Sequence, residues 1–335
     1  MDTTPPILTD SFQRKHTYLR ISLTEKCNLR CTYCMPAAGI PLTPRAHLMS
    51  ADEVYKLAKL FVHHGVTKIR LTGGEPLVRK DFETIVKKLA TLKVEIAITT
   101  NGILLNKHLP LLLELGITNI TISIDSLSTE KNQLITRRDY FDAVWNNVKK
   151  MQTLVDEVKL NVVLMKGVND NEICDFIELT RFENLKIRFI EFMPFDGNQW
   201  NTEKLVKHAE IINMLHAHFG AKNVLRSTDA PNDTSRNFKI QGFKGNFAII
   251  SSVTNPFCDT CNRIRLTADG KLKNCLFSSS ESELLNDFRN GLDITPKIKL
   301  AMLSKKRTRG GMDTIEKLED PELHSKNRSM IAIGG

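Results

Sequence analysis

The chain carries 335 residues, 41% of them hydrophobic and 25% charged, close to the globular average, which excludes a disordered tail protein, a collagen and a coiled coil. At roughly 150 residues per domain this is about two domains' worth of chain, or a single α/β barrel. Its 47 basic residues against 38 acidic ones give a net charge of +9, which favours an anionic partner such as a nucleotide, a nucleic acid or a membrane surface without choosing among them.

Residues 1–16 read as an N-terminal extension. The first ten show neither the basic and apolar regions of a signal peptide nor the Arg-rich pattern of a transit peptide. No apolar run approaches the ~18 residues of a membrane span, so a cytoplasmic protein is expected. Period-2 apolar patterning then predicts strands over 18–23, 66–72, 94–99, 119–124, 159–164 and 186–192. Helical patterns separate them at 50–64, where Ser50 and Glu53 form a capping-box signature, and at 81–92, 104–115 and 140–155. Six β/α units in series predict a parallel α/β sheet over a domain spanning 17–195.

Alternation along these strands sorts the side chains by face. Tyr18, Arg20 and Ser22 oppose Leu19, Ile21 and Leu23; Lys68, Arg70 and Thr72 oppose Ile69 and Leu71; Lys159 and Asn161 oppose Leu160 and Val162. A doubly wound sheet buries both faces in apolar side chains, and an ordinary closed barrel fills its lumen with branched aliphatics. Neither fits. The pattern predicts an incomplete (βα)6 barrel whose concave side is a water-accessible cationic cavity containing Arg20, Lys68, Arg70, Lys159 and Arg188. Ligands bind beyond the carboxyl ends of parallel strands, and there the sequence places 27–34, Gly73-Gly74-Glu75-Pro76, 99–102, 123–125, 165–167 and 191–194, a composite site at one rim.

A turn-rich linker at 196–201 opens a C-terminal α+β region, 196–335. It reads as an amphipathic helix over 202–219, short strands around Gly242 and Gly245, a Cys-bearing loop, a hairpin through Ala268-Asp269-Gly270 and helices to about 304. The basic stretch 304–311 is expected to be a solvated loop.

Six of the seven cysteines fall into two tight groups, Cys27/Cys31/Cys34 and Cys258/Cys261/Cys275, as metal ligands do in reducing compartments. Cys174, in a predicted helix over 172–181, reads as a small buried thiol. No fourth Cys or His follows Cys34 at zinc-site spacing. Three thiolates on one loop instead suit a [4Fe–4S] cluster with one iron open to a small molecule. The second set, taken alone, fits zinc and iron–sulfur equally.

The spacing Cys27-x3-Cys31-x2-Cys34, with Tyr33 before the third cysteine, resembles the signature of the radical S-adenosylmethionine (SAM) superfamily, and Gly73-Gly74-Glu75-Pro76 resembles its motif at the methionine amino group. Along nearly the whole chain, segments 18–30, 68–79 and 261–270, Met193-Pro194, Cys275 and the terminal Gly334-Gly335 resemble the GTP 3′,8-cyclase family, which opens molybdenum cofactor biosynthesis. The resemblance implies two [4Fe–4S] clusters, SAM on the first and GTP at the second. It implies a lyase reaction: an adenosyl radical takes hydrogen from C3′ of GTP, the C3′ radical closes on C8, and reduction of the resulting radical by one electron and a proton gives (8S)-3′,8-cyclo-7,8-dihydroguanosine 5′-triphosphate.

Carried over by motif, SAM contacts fall on Tyr33, Gly74, Ser123 and Met193, and GTP contacts on Arg20, Arg70, Thr99, Lys159, Arg263, Ile264 and Arg265. Catalytic roles fall on Arg20, Arg263 and Arg265, with the Gly-Gly tail inserted into the site. The implied partners are GTP, an electron donor such as flavodoxin or ferredoxin, and a separate pyranopterin-forming protein acting on the product. Homodimerisation is compatible, and neither nucleic acid nor membrane is expected. The family often has Gly-Arg ahead of the first strand where this chain has Gln13-Arg14, so the approach to the sheet is expected to differ. Two rival readings stand beside this one. One is a different radical SAM enzyme with an auxiliary cluster, acting on peptide or RNA. The other is a zinc-binding nucleic-acid module, which leaves the first cysteine set unexplained.

Overall fold

Six parallel strands follow one another in chain order: β1 (Tyr18–Ser22), β2 (Lys68–Thr72), β3 (Glu95–Thr100), β4 (Asn119–Ser123), β5 (Val158–Leu164) and β6 (Leu185–Glu191). The structure is a computed structural model and describes residues 7–324 and 326–334; residues 1–6 of the extension and Gly335 of the tail lie outside the described residues. The crossovers carry α1 (Ala51–His63), α2 (Phe82–Ala90), α3 (Leu105–Glu114), α4 (Thr129–Thr136), α5 (Phe141–Gln152) and α6 (Ile173–Glu178). Their apolar stripes cover one face of the sheet, so Leu19, Ile21, Ile69, Leu71 and Leu160 are fully buried in one cluster with Phe61 and Phe82. The Ser50 cap forms as the sequence predicts: Glu53 N donates to Ser50 Oγ at 3.3 Å, and Ser50 N to Glu53 Oε2 at 2.7 Å.

Helix α4 carries no 3.6-residue apolar stripe and is absent from the sequence reading. It starts on the Ser128 cap, where Lys131 N donates to Oγ at 3.3 Å. Its last carbonyls, of Ile135 and Thr136, accept from Thr32 N and Arg30 N at 2.9 and 3.0 Å, so the helix end holds the first cysteine loop.

The C-terminal region does not stand apart from the sheet. It supplies β7 (Val224–Arg226), β8 (Arg236–Ile240), β9 (Asn246–Ile250), β10 (Arg263–Leu266), β11 (Lys271–Lys273) and β12 (Ser282–Glu283). Strand β10 pairs parallel with β1 and β9 parallel with β6. The described residues therefore form one sheet in the order β12-β11-β10-β1-β2-β3-β4-β5-β6-β9-β8-β7. This pairing covers both edges of the six-stranded unit, which would otherwise offer unpaired backbone groups. Among the described residues no helix is long and apolar enough to cross a membrane.

Three expectations need correction. The helix expected over 202–219 is a 3-10 turn, Thr202–Lys204, followed by α7 (His208–Phe219). Asn201 Oδ1 accepts from Lys204 N at 3.1 Å and closes the first turn, and Lys207 N donates to Glu210 Oε2 at 2.7 Å to open the second. The basic stretch 304–311 is solvated only in part: Ser304, Lys306 and Arg307 are exposed, but Lys305 is 4% and Arg309 6% exposed. Cys174 is half-buried rather than buried. Ahead of β1 the chain makes a left-handed turn at Gln13, φ +63, a conformation that glycine takes without strain.

Candidate active site

The polar faces of β1–β6 and of β10 line one cavity of about 670 Å³. All six grouped cysteines lie on its wall, as do Arg20, Lys68, Arg70, Lys159, Arg188, Arg263 and Arg265. Strand alternation therefore located the cationic lumen correctly. Of the residues assigned to GTP, only Ile264 faces away; it is fully buried in the apolar core, because its neighbours Arg263 and Arg265 take the cavity face of β10.

Pairing places the arginines in a row. Arg265 lies opposite Arg20 in the β10–β1 pair, and Arg20 opposite Arg70 in the β1–β2 pair. Arg70 is anchored by its own hydrogen bonds, donating from Nη1 to Thr99 Oγ1 at 3.1 Å and Thr121 Oγ1 at 3.2 Å, and from Nε to the Tyr18 hydroxyl. Burial, followed by neighbouring positive charge, holds Arg20 and Arg188 below the usual guanidinium value, Arg188 at about 10. Burial also lowers Lys159. Burial raises the Tyr18 phenol, but Arg70 and Arg20 more than reverse this and bring it down to about 8. Tyr18 also lies against two cations, with Lys68 Nζ 5.3 Å and the Arg263 guanidinium 5.4 Å from its ring centre. Such crowding of like charge is relieved by a polyanion such as a triphosphate.

The first cysteine loop is held from three sides. Leu29 N donates to Cys27 Sγ at 3.4 Å, Asn101 Nδ2 lies 3.9 Å from the same sulfur, and Arg137 Nη1 donates to the carbonyls of Arg30 and Met35 at 3.0 and 3.1 Å. Burial pushes the Cys27 thiol up to about 11; Cys31 and Cys34 also rise, through burial and the repulsion of neighbouring thiolates. Among the described residues no three His, Cys, Asp or Glu side chains converge on a point able to hold a single metal ion. A [4Fe–4S] cube instead spreads its thiolates over three irons, and its positive irons stabilise the deprotonated ligands. Closely spaced thiols with an N–H aimed at a sulfur fit that group.

Around this loop the strand ends converge. Gly74 has no room for a side chain: a Cβ there would collide with the Lys26 carbonyl. Its own N–H donates to Thr24 O at 2.7 Å. Glu75 ties this turn to the end of β3, accepting from Thr100 Oγ1 at 2.8 Å and from Asn101 N at 2.7 Å, and burial raises its carboxyl to about 7. The Tyr33 hydroxyl donates to Asp125 Oδ2 at 2.7 Å. Ser123 and Met193 line the same wall. Sequence reasoning missed Asn198, whose Nδ2 donates to the carbonyls of Tyr33 at 3.2 Å and Met193 at 2.8 Å, joining two residues assigned to SAM. Its bond to Met193 is local, but Tyr33 lies 165 residues away, so the sequence carries no signal that joins the two.

At the second cysteine set, Arg309 N donates to Cys258 Sγ at 3.3 Å. Burial raises Cys258; it also acts to raise Cys261, but there Lys305 and Arg263 prevail and the thiol is lowered. This set suits a metal–sulfur group for the same reasons as the first. The tail reaches the cavity as expected: Met330 and Ile331 line it, and the Gly334 carbonyl accepts from Arg265 Nη1.

Residues 21–180 match the family described as the Radical SAM superfamily, and residues 185–310 match one described as Molybdenum Cofactor Synthesis C. Among solved structures, Streptococcus suis SuiB shares the fold, with a TM-score of 0.55 and 16% identity over 92% of this chain and 67% of that one. Fold and cysteine-lined cavity together define a radical SAM enzyme with a second three-cysteine site. Among curated relatives, the mitochondrial GTP 3′,8-cyclase of Arabidopsis thaliana is 49% identical over 98% of this chain and 84% of its own length. The GTP 3′,8-cyclase of Listeria welshimeri is 38% identical over 98% and 99%. The molybdenum cofactor biosynthesis protein moc-5 of Caenorhabditis elegans is 50% identical over 86% of this chain, which spans about half (48%) of that longer protein. The chain belongs to the GTP 3′,8-cyclase family of radical SAM enzymes, whose cofactors are SAM and two [4Fe–4S] clusters.

Proposed function

We propose that this protein cyclises GTP to (8S)-3′,8-cyclo-7,8-dihydroguanosine 5′-triphosphate, the first step of molybdenum cofactor biosynthesis. One observation carries the reading: both cysteine sets and the row Arg265, Arg20, Arg70 share a single cavity. SAM held at the first cluster supplies, on one-electron reduction, the 5′-deoxyadenosyl radical that takes the C3′ hydrogen. The chain's own part is to hold the reactants. Cys27, Cys31 and Cys34 ligate the first cluster, and Tyr33, Gly74, Ser123 and Met193 frame SAM beside it. Cys258, Cys261 and Cys275 ligate the second, where the guanine base binds. Arg20, Arg70, Lys159, Arg263 and Arg265 neutralise the triphosphate, joined by Lys68 and Arg188, and Thr99 orients Arg70. Arg20, Arg263 and Arg265 keep the substrate in place through the radical step.

An electron donor of the flavodoxin or ferredoxin kind reduces the clusters, and a separate pyranopterin-forming protein takes the product. A cytoplasmic location and a homodimer belong to the same reading; the Arabidopsis relative is named as mitochondrial. The peptide- or RNA-modifying alternative is not favoured, since the likeness to SuiB is one of fold alone. Anaerobic incubation with SAM, reductant and each nucleoside triphosphate, followed by mass spectrometry, tests the proposal. Cyclised nucleotide is expected from GTP. Cleavage of SAM with no cyclised product from GTP would refute it.

A further inference from the structure

The Gln13-Arg14 pair ahead of β1 has no place in the reading so far. Arg14 is 9% exposed, and every nitrogen of its head is engaged. Nε donates to Asp10 Oδ2 at 2.6 Å, Nη1 to the carbonyls of Cys258 at 2.7 Å and Arg307 at 2.8 Å, and Nη2 to that of Lys306 at 3.1 Å. One side chain thus ties the N-terminal extension to a cysteine of the second set and to the basic loop behind it. That loop touches the sulfur directly, through Arg309 N on Cys258 Sγ at 3.3 Å. Its course is tightly constrained: Gly310 adopts φ +65, and a Cβ there would meet Ser278 N at 2.6 Å. The anchor is fixed as well, because Asp10 Oδ1 accepts from Phe12 N at 2.9 Å and Arg14 N at 3.0 Å.

We propose that Arg14 is a positioning residue for the auxiliary cluster: by pinning the Cys258, Lys306 and Arg307 carbonyls it keeps the Arg309 N–H on Cys258 Sγ and so sets that cluster's reduction potential. This rests on the reading that the second cysteine set holds an iron–sulfur cluster. An N–H aimed at a ligating sulfur favours the reduced, more negative cluster and raises its potential. The planar guanidinium fork reaches three carbonyls and a carboxylate at once, which the single ammonium of lysine does not.

The test uses the full chain with Cys27, Cys31 and Cys34 changed to Ala, so that the second cluster alone is titrated by paramagnetic resonance. Arg14→Met is expected to shift its midpoint potential downward. Arg14→Lys, which keeps the charge and loses the fork, shifts it too, and Asp10→Asn, which loosens the anchor, shifts it less. In the reciprocal background lacking Cys258, Cys261 and Cys275, Arg14→Met leaves the first cluster's potential unchanged. Loss of iron from the second set alone supports the same role. An unmoved potential in Arg14→Met, full restoration by Lys, or equal effects on both clusters would overturn it. A parent protein with no second cluster would overturn the underlying reading and the proposal with it, before any change at Arg14.

Discussion

The Tyr33 hydroxyl and the Asp125 carboxylate meet at 2.7 Å, joining the residue before the third cysteine of the first set to the residue two beyond the end of β4. Asp125 is 2% exposed, and its other oxygen accepts from Val163 N at 2.8 Å. Burial holds the carboxyl up at about 6. The pair fixes the wall on which Ser123 and Met193 also stand.

Asp125→Ala removes both bonds and leaves the Tyr33 hydroxyl buried without its partner, at about 1–3 kcal/mol. SAM affinity is expected to fall roughly fivefold to a hundredfold, with GTP affinity unchanged. Equilibrium dialysis with each ligand checks this; equal losses for both would mean that the substitution damages the whole cavity.

Removing cations from the lumen has the opposite selectivity. Arg20→Ala, Arg70→Ala and Lys159→Ala each delete a charge-assisted contact worth about 1.5–3 kcal/mol, which is at least a tenfold loss of GTP affinity. Iron content and SAM cleavage are expected to persist. Unchanged GTP titrations for all three would rule out the cavity as the triphosphate site.

The tail offers a steric test. Gly334 adopts φ +79, and a Cβ there would meet Thr72 Oγ1 at 2.5 Å and Ser22 Cβ at 3.0 Å. Gly334→Ala is therefore expected to displace the tail from Arg265 and suppress formation of cyclised nucleotide, while both clusters and GTP affinity persist. Deletion of Gly334 and Gly335 should match it, and full turnover by either variant would show the tail to be dispensable.

His16 gives the protein a pH-dependent stability. Its ring is 1% exposed, and burial, with Lys305 nearby, lowers its pKa from 6.5 to about 4 despite the Asp10 carboxylate at 3.1 Å. The folded state keeps the ring neutral while the unfolded chain protonates below 6.5. Stability is therefore fully present above that pH and is lost as pH falls toward 4, by roughly 3 kcal/mol. Denaturant unfolding of the parent and of His16→Gln between pH 7 and pH 4 should show a shallower slope in the variant. Parallel slopes would exclude His16 as the source.

What the sequence wrote down was what depends on local order. The period-2 alternation of β1, β2 and β5 places apolar side chains under the helices and Arg20, Arg70 and Lys159 in the lumen, because successive side chains on a strand must point to opposite faces. The spacing of Cys27, Cys31 and Cys34 sets three thiols on one loop, and Ser50 with Glu53 marks a helix start, for reasons equally local.

What only the tertiary structure decided is which distant segments meet. Parallel pairing of β10 with β1 brings the second cysteine set to the cavity of the first and sets Arg265 opposite Arg20. Parallel pairing is backbone to backbone, so no side chain in 263–266 announces its partner strand. The burial of Lys305 and Arg309 within 304–311 has the same cause. A run of Lys and Arg reads as solvated until its backbone finds Arg14 and Cys258, partners some 290 and 50 residues away that local composition does not encode.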